Sequence, residues 1–571
     1  MEHKIIHLKY QKFFYLIIML FISIGFGFYS VYLGIDADAD SYNYHFYNGF
    51  AFVNDRTFVD FAPAGLHSYF NPILDALVYL GITKIPQQYY AFSLGFLQGL
   101  NIIPIYYIAE KLFNTFSINK IFILLVSLIG LFQSLFLTQL GISMHDSLTS
   151  LFVLTCLALF LNNLNNNIKG FYIPSFIIGV IVGLKLTNAT YGISLALIMC
   201  IYSIMYRRYI LIINIGFLMV GGFLLSNGWW MYKLWIHFDN PFYPYMNNIF
   251  KSSWAVTDAE AYIDKYFFRQ HGLQKLFYPI FFSNEPGLAS GYYGWPLHSF
   301  YKEAVAYLLA LIVILAMFSR KWRSRRKYLK EYIILFFIFC AVSYFIWYLK
   351  FGVMRYLMPV LLLCPIIISL SLFLLLLERV NSKKGTILSK SAVYPSYGLS
   401  RCAGRNLFFF MLVITCSFLS YEDLKNGFPK DLHKPFSEKF IQDNKLSEYD
   451  ANASIYFITG SPIVWQAWIF PALDLKGTAI PLRSGIFKYE NEKLLNQRAS
   501  YIDNILGNKN NYAIVIRDLT GEGWISKPTS DNETIDELKR YGLKLSDDCR
   551  EYDSGFGSNI RRLKFCNVEP L

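Results

Sequence analysis

Charge is what this sequence has least of. Only 16% of its 571 residues are Asp, Glu, Lys or Arg, where a soluble domain carries about a quarter. The shortage is concentrated before about residue 420, which excludes a soluble enzyme or a disordered scaffold over that stretch. Cysteine is sparse as well, with 8 in the chain, and this excludes a disulfide mini-protein. Gly460-Ser461-Pro462 lacks the glycine spacing of a phosphate-binding loop. No repeat on the ~20–50-residue scale of solenoids is visible, nor the paired halves of a repeat transporter. The histidines, His67 and His298 among them, show no ligand-pair spacing and read as local hydrogen-bonding residues.

What is present is apolar sequence in helix-length runs. Hydrophobic residues make up 55% and aromatic residues 18% of the chain, the latter fitting wide interfacial belts. A bilayer core needs roughly 20 apolar residues per helix. Spans are expected at Phe13–Leu33 and at about 88–110, 120–139, 147–163, 171–188, 190–206, 209–228, 302–319, 331–349, 356–377 and 407–420, about eleven in all. Pro72–Ile82 is shorter and reads as an interfacial helix. The net charge of +13 is carried by connections between spans, most densely at Arg320–Lys330 and Arg379–Arg405. That placement follows the positive-inside rule and does not indicate a nucleic-acid patch.

Alternating the spans places the basic connections and the N-terminus in the cytoplasm. The first loop (about 34–87), a long loop (about 229–301) and everything after Tyr421 then lie outside the cytoplasmic membrane. The expected fold is mainly α: a polytopic helical bundle over 1–420, followed by a small extracytoplasmic α/β domain over 421–571. That domain has strand-like runs at Ser454–Thr459 and Asn511–Arg517 and a helix-like run at Ile535–Tyr541. Cys549 and Cys566 are its two cysteines and are expected to form a disulfide.

The polar residues gather on one predicted side. The first loop reads Gly34-Ile35-Asp36-Ala37-Asp38-Ala39-Asp40-Ser41-Tyr42-Asn43-Tyr44-His45. Alternation would put the three acids on one side of an extended segment, where mutual repulsion raises at least one pKa unless a cation intervenes. Met144-His145-Asp146-Ser147, Lys185-Leu186-Thr187-Asn188, Asn240-Pro241-Phe242-Tyr243-Pro244 and Lys350–Arg355 lie on the same predicted side. Acids and cations from four connections would line one cavity suited to an anionic lipid-linked substrate.

At these residues the chain resembles the GT-C superfamily of membrane glycosyltransferases. Asp40-Ser41-Tyr42-Asn43-Tyr44-His45 is similar to its first-loop acid motif. Lys185-Leu186-Thr187, Asn240–Pro244 and Arg355-Tyr356-Leu357-Met358-Pro359 are similar to later elements in bacterial relatives of protein mannosyltransferases and lipid A aminoarabinose transferase. The resemblance implies an inverting transfer of sugar from a polyprenyl-phosphate donor to a hydroxyl of a glycan, lipid or protein. Asp40 would be the general base, although the three-acid run leaves Asp38 as an alternative. Asp38, Tyr44, His45, Asp146, Lys185, Asn240 and Arg355 would contact substrate, with Arg355 and Lys185 at the phosphate. Either no cofactor or a divalent cation, Mg²⁺ or Mn²⁺, on Asp38, Asp40 and Asp146 is compatible with these residues. The other classes weighed are a polysaccharide polymerase or ligase, which would rely on arginines, and a transporter, which would place charge at the middle of the spans.

Overall fold

A computed structural model describes residues 2–255, 301–318, 330–382, 414, 417, 433–436 and 446–571, apart from 39, 117, 165–168, 460, 463–466, 483–491, 509, 520–525, 528–529 and 557–558. The expected span at about 407–420, the dense basic runs and most of the long loop lie outside these residues.

Helices occupy the other ten expected spans. They are Glu2–Leu33, Gln87–Gly99 with Ile102–Phe113, Lys120–Leu131, Asp146–Asn163, Lys169–Leu184, Ala189–Met205, Tyr209–Phe238, Tyr301–Phe318, Glu331–Lys350, and Met358–Leu362 with Cys364–Ser382. Among the described residues six helices are long and apolar enough to cross a membrane, and the last pair, bent by 50°, would make a seventh. Lys120–Leu131, Gly170–Leu184 and Val305–Ala316 are apolar but shorter than a full span. The expected span at 120–139 breaks at Gln133, whose side chain accepts a hydrogen bond from the Phe136 amide at 2.7 Å and starts a new short helix, Ser134–Thr138. The Pro72–Ile82 segment is the helix Ile73–Lys84.

One boundary needs correction. The helix expected to stop near 228 continues to Phe238. Trp230, Leu234 and Phe238, spaced four apart, are buried with Tyr69 and Tyr243, and the first helix-stopping proline comes only at Pro241. This helix packs on Lys169–Leu184 at backbone distance. A Cβ on Gly179 would lie 2.1 Å from the Met219 carbonyl, and one on Gly222 would lie 2.2 Å from that of Phe176. Small residues at such crossings are a hallmark of membrane helix packing.

Two short strands, β1 (Ile35–Asp36) and β2 (His433–Lys434), pair antiparallel. The C-terminal region adds β3 (Ile455–Ile458), β4 (Ser461–Pro462), β5 (Thr478–Pro481), β6 (Ala513–Asp518), β7 (Ser526–Lys527), β8 (Leu543–Phe556) and β9 (Asn559–Pro570). Five of these form one mixed sheet in the order β5-β3-β6-β9-β8, parallel from β5 to β6 and antiparallel beyond. Alternate residues face opposite ways. Ile455, Phe457 and Val515 pack with Ile502 and Leu538 of the helices Glu492–Leu506 and Asp531–Lys539. Tyr456, Ile458, Ile514 and Ile516 pack with Phe46, Tyr47 and Phe50 of the first loop's helix Phe46–Val53.

Hydrogen bonds fasten this second face. Arg56 donates to the Lys476 and Gly477 carbonyls, and the Ala479 amide donates to Asp60 Oδ1 at 2.8 Å. Cys549 and Cys566 face each other on β8 and β9 and are disulfide-bonded.

Candidate functional site

The site forms where several helices end close to one another, and it begins with the acid run. Only Asp36 lies in a strand; from Asp40 the chain is already turning into the π-helical turn Ser41–His45, which leads into Phe46–Val53. The three acids therefore do not share one face of an extended segment. Asp36 accepts hydrogen bonds from Ser41 Oγ at 2.6 Å, the Ser143 amide at 2.9 Å and the Asp38 amide at 3.0 Å. Asp38 accepts from the amides of Asp40 and Ser41. Asp38 is spent on shaping the turn, and Asp36 on the turn and on tying it to Ser143. Asp40 is the one that meets a cation, with its Oδ2 accepting from Arg355 Nη2 at 2.7 Å and from Tyr44 Oη at 3.4 Å.

Arg355 is positioned by the break before Met358–Leu362, and its guanidinium also lies 3.9 Å from Asp146. Asp146 opens the helix Asp146–Asn163 and binds Lys185 Nζ at 2.5 Å. Lys185 follows the last residue of Lys169–Leu184 and donates also to the Met144 carbonyl. The Tyr356 ring lies beneath both cations, 5.2 Å from Arg355 and 5.6 Å from Lys185. Two acids and two cations from four segments thus alternate, Asp40–Arg355–Asp146–Lys185, in a network where Asp146 and Arg355 are buried and Asp40 and Lys185 half-buried.

The electrostatics separate the acids. Burial, then the neighbouring Asp40 and Asp36 carboxylates, push Asp38 well above the usual carboxylate range. Burial acts on Asp40 in the same direction, but Arg355, with help from His67 and His45, outweighs it and holds that carboxyl below its ordinary value.

Tyr44 stacks on His67 with ring centres 4.4 Å apart, and burial drives His67 down to about 4. Asn240 does not join the network. It bonds within its own loop, donating to the Tyr245 carbonyl and accepting from the Phe242 amide. His45 turns the other way and meets Asp75 Oδ1 at 2.6 Å.

Asp75 and His145 belong here as well, although their spacing in the sequence marks neither. Asp75 is a lone acid in the helix Ile73–Lys84 and accepts from His45, His145 and Asn48. His145 sits at φ 64°, a left-handed backbone unusual for a residue with a side chain, directly before Asp146. The one available signal was a charged residue inside an apolar helix. The divalent-cation option on Asp38, Asp40 and Asp146 meets a network in which Arg355 and Lys185 already sit between the acids.

No protein-family model matches the chain, and no curated protein matches it in sequence. Among solved structures, the chain is similar to ArnT from Cupriavidus metallidurans bound to undecaprenyl phosphate, with a TM-score of 0.48 and 11% identity over 97% of this chain and 98% of that one. It is similar also to the same protein in the apo state, with a TM-score of 0.48 and 12% identity over the same shares.

Proposed function

We propose that this protein is a membrane glycosyltransferase that moves a sugar from a polyprenyl-phosphate donor to an acceptor hydroxyl, with inversion, on the outer side of the cytoplasmic membrane. In this reading residues 1–420 form the catalytic membrane domain and 421–571 an extracytoplasmic domain. The observation that carries it is the largely enclosed alternation Asp40–Arg355–Asp146–Lys185. A phosphate leaving group needs little protonation, so one general base suffices where a glycosidase uses two carboxyl groups. Asp40 takes the acceptor proton, the acceptor oxygen bonds to the anomeric carbon, and the anomeric carbon–oxygen bond to phosphate breaks. The electron pair leaves with the polyprenyl phosphate.

The ion pair sets the timing of this step. With Arg355 on Asp40 the carboxylate is a weak base. A donor phosphate competes for the same guanidinium, and charge-assisted bonds to phosphate are strong. Once Arg355 and Lys185 turn to the phosphate, Asp40 loses its main countercharge and its basicity rises with donor in place. Asp146 keeps the two cations together in the absence of donor.

The test is incubation of the purified full-length protein with radiolabelled polyprenyl-phosphate sugars and membrane acceptors. Transfer of label from the lipid, abolished by Asp40→Asn, supports the reading. Transfer undiminished in Asp40→Asn, Asp38→Asn and Asp36→Asn alike would overturn it.

A further inference from the structure

A second cluster lies beside the ion-pair network and has different chemistry. His45 Nδ1 and His145 Nε2 approach the same oxygen of Asp75, at 2.6 Å and 3.1 Å, and the three ligating atoms all lie within 4.8 Å of one another. All three side chains are buried, with relative exposures of 5%, 7% and 3% for His45, His145 and Asp75. They come from three separate segments: the turn Ser41–His45, the helix Ile73–Lys84 and the residue before Asp146–Asn163. We propose that His45 Nδ1, His145 Nε2 and Asp75 Oδ1 bind a divalent first-row transition metal of the zinc class.

The donor set selects that class. Two imidazoles and one carboxylate suit zinc and its neighbours, whereas magnesium and calcium favour all-oxygen sites. Ligand bonds of about 2.0–2.2 Å in tetrahedral geometry put donor atoms about 3.3 Å apart. The two separations from Asp75 Oδ1, 2.6 Å and 3.1 Å, reach this by a small outward shift of the rings. Asn48 Nδ2 donates to Asp75 Oδ2 at 3.0 Å, which fixes the carboxylate and leaves Oδ1 toward the imidazoles, as partners of metal ligands commonly do.

The fold holds the cluster at a local cost. His45 Nε2 and Asn48 Oδ1, which are not among the three ligating atoms, are buried without a partner. The left-handed backbone at His145 is a further local cost.

His45 lies five residues after Asp40 and His145 immediately precedes Asp146. A metal here would clamp together the two segments that carry the network's acids, with three protein ligands leaving a fourth position open. Metal binding itself does not depend on the glycosyl-transfer reading, and its test reads metal rather than turnover.

Full-length protein purified in detergent without chelator is expected to hold about one zinc per chain by elemental analysis. Replacement by Co²⁺ should produce visible absorption characteristic of low-coordinate nitrogen and oxygen ligands. Asp75→Asn, which preserves the side-chain shape, and His145→Gln should each lower metal content at least tenfold. Two outcomes overturn the proposal. One is wild-type protein that stays metal-free after dialysis against zinc and shows no Co²⁺ absorption. The other is folded variants that keep the wild-type metal content. The cobalt spectrum needs only the wild-type chain, so a variant that fails to fold does not block the test.

Discussion

Arg355 Nη2 and Asp40 Oδ2, 315 residues apart in sequence, are 2.7 Å apart in space. Asp40→Asn keeps the shape of the side chain and removes its charge. Sugar transfer per folded molecule of the purified variant is expected to fall by ~10²–10⁴, the usual scale for loss of a general base. Asp36→Asn should act differently. Its carboxylate accepts from the Asp38 amide and the Ser41 hydroxyl within the turn and from the Ser143 amide on another segment, so the thermal midpoint should drop before turnover per folded molecule does.

Arg355→Ala removes the chief influence holding Asp40 below its ordinary value. The folded-state pKa then rises, the carboxylate is lost at a higher pH as acid is added, and the acidic limb of kcat/KM against pH should move upward. Arg355→Lys keeps a charge but not the planar fork, and should move the limb less while raising KM for donor. An acidic limb identical in wild type and Arg355→Ala would dissociate Arg355 from Asp40's ionisation.

Asp60 joins the first loop to the C-terminal sheet. It accepts from Arg56, Tyr47 Oη and the Ala479 amide and is fully enclosed. Asp60→Ala leaves Arg56 without its carboxylate and the Tyr47 hydroxyl and Ala479 amide short of an acceptor. The expected cost is ~3–5 kcal/mol, the range for breaking a buried pair. It should appear as faster cleavage of the C-terminal region in limited proteolysis.

His67 is held neutral, with its pKa down at about 4. An unfolded histidine titrates near 6.5, so between those values the unfolded chain binds more protons. Stability should therefore fall as pH drops from about 6.5 toward 4. His67→Gln removes that proton uptake, and its thermal midpoint should fall less than wild type across the same interval. Parallel midpoint curves for the two proteins would exclude His67 as a contributor.

Much of this arrangement is legible in the sequence because membranes write in long apolar runs. Asp146, Lys185 and Arg355 can be singled out since each stands where such a run starts or stops. The C-terminal strands β3 and β6 are legible for a similar reason, each being a short β-branched or aromatic run buried on both faces.

The role of each acid in Asp36–Asp40 is not legible. Alternation assumes an extended backbone, and the chain leaves that geometry at Asp40. The grouping of His45, Asp75 and His145 is also hidden, because gaps of 30 and 70 residues are set by tertiary packing and no local spacing rule reports them. Asn240 illustrates the opposite limit. A polar residue in a suggestive motif is consumed by the turn that the motif builds.

The small ladder between β1 and β2 bears on when the site comes into being. Its two rungs join Ile35 and Asp36, at the start of the acid run, to Lys434 and His433, and His433 reaches on to the Leu140 carbonyl at 2.8 Å. Gly34 meets the Lys434 carbonyl so closely that a Cβ would lie 2.1 Å from it. During synthesis, the segment carrying Asp40 is therefore made some four hundred residues before the partner that ties it down. Until Lys434 and His433 are translated, Ile35 and Asp36 lack these backbone partners, and the acid run is held by contacts such as those from Ser143 and Arg355. A chain halted before His433 would contain Asp40, Asp146, Lys185 and Arg355 and still lack the ladder that secures the first of them.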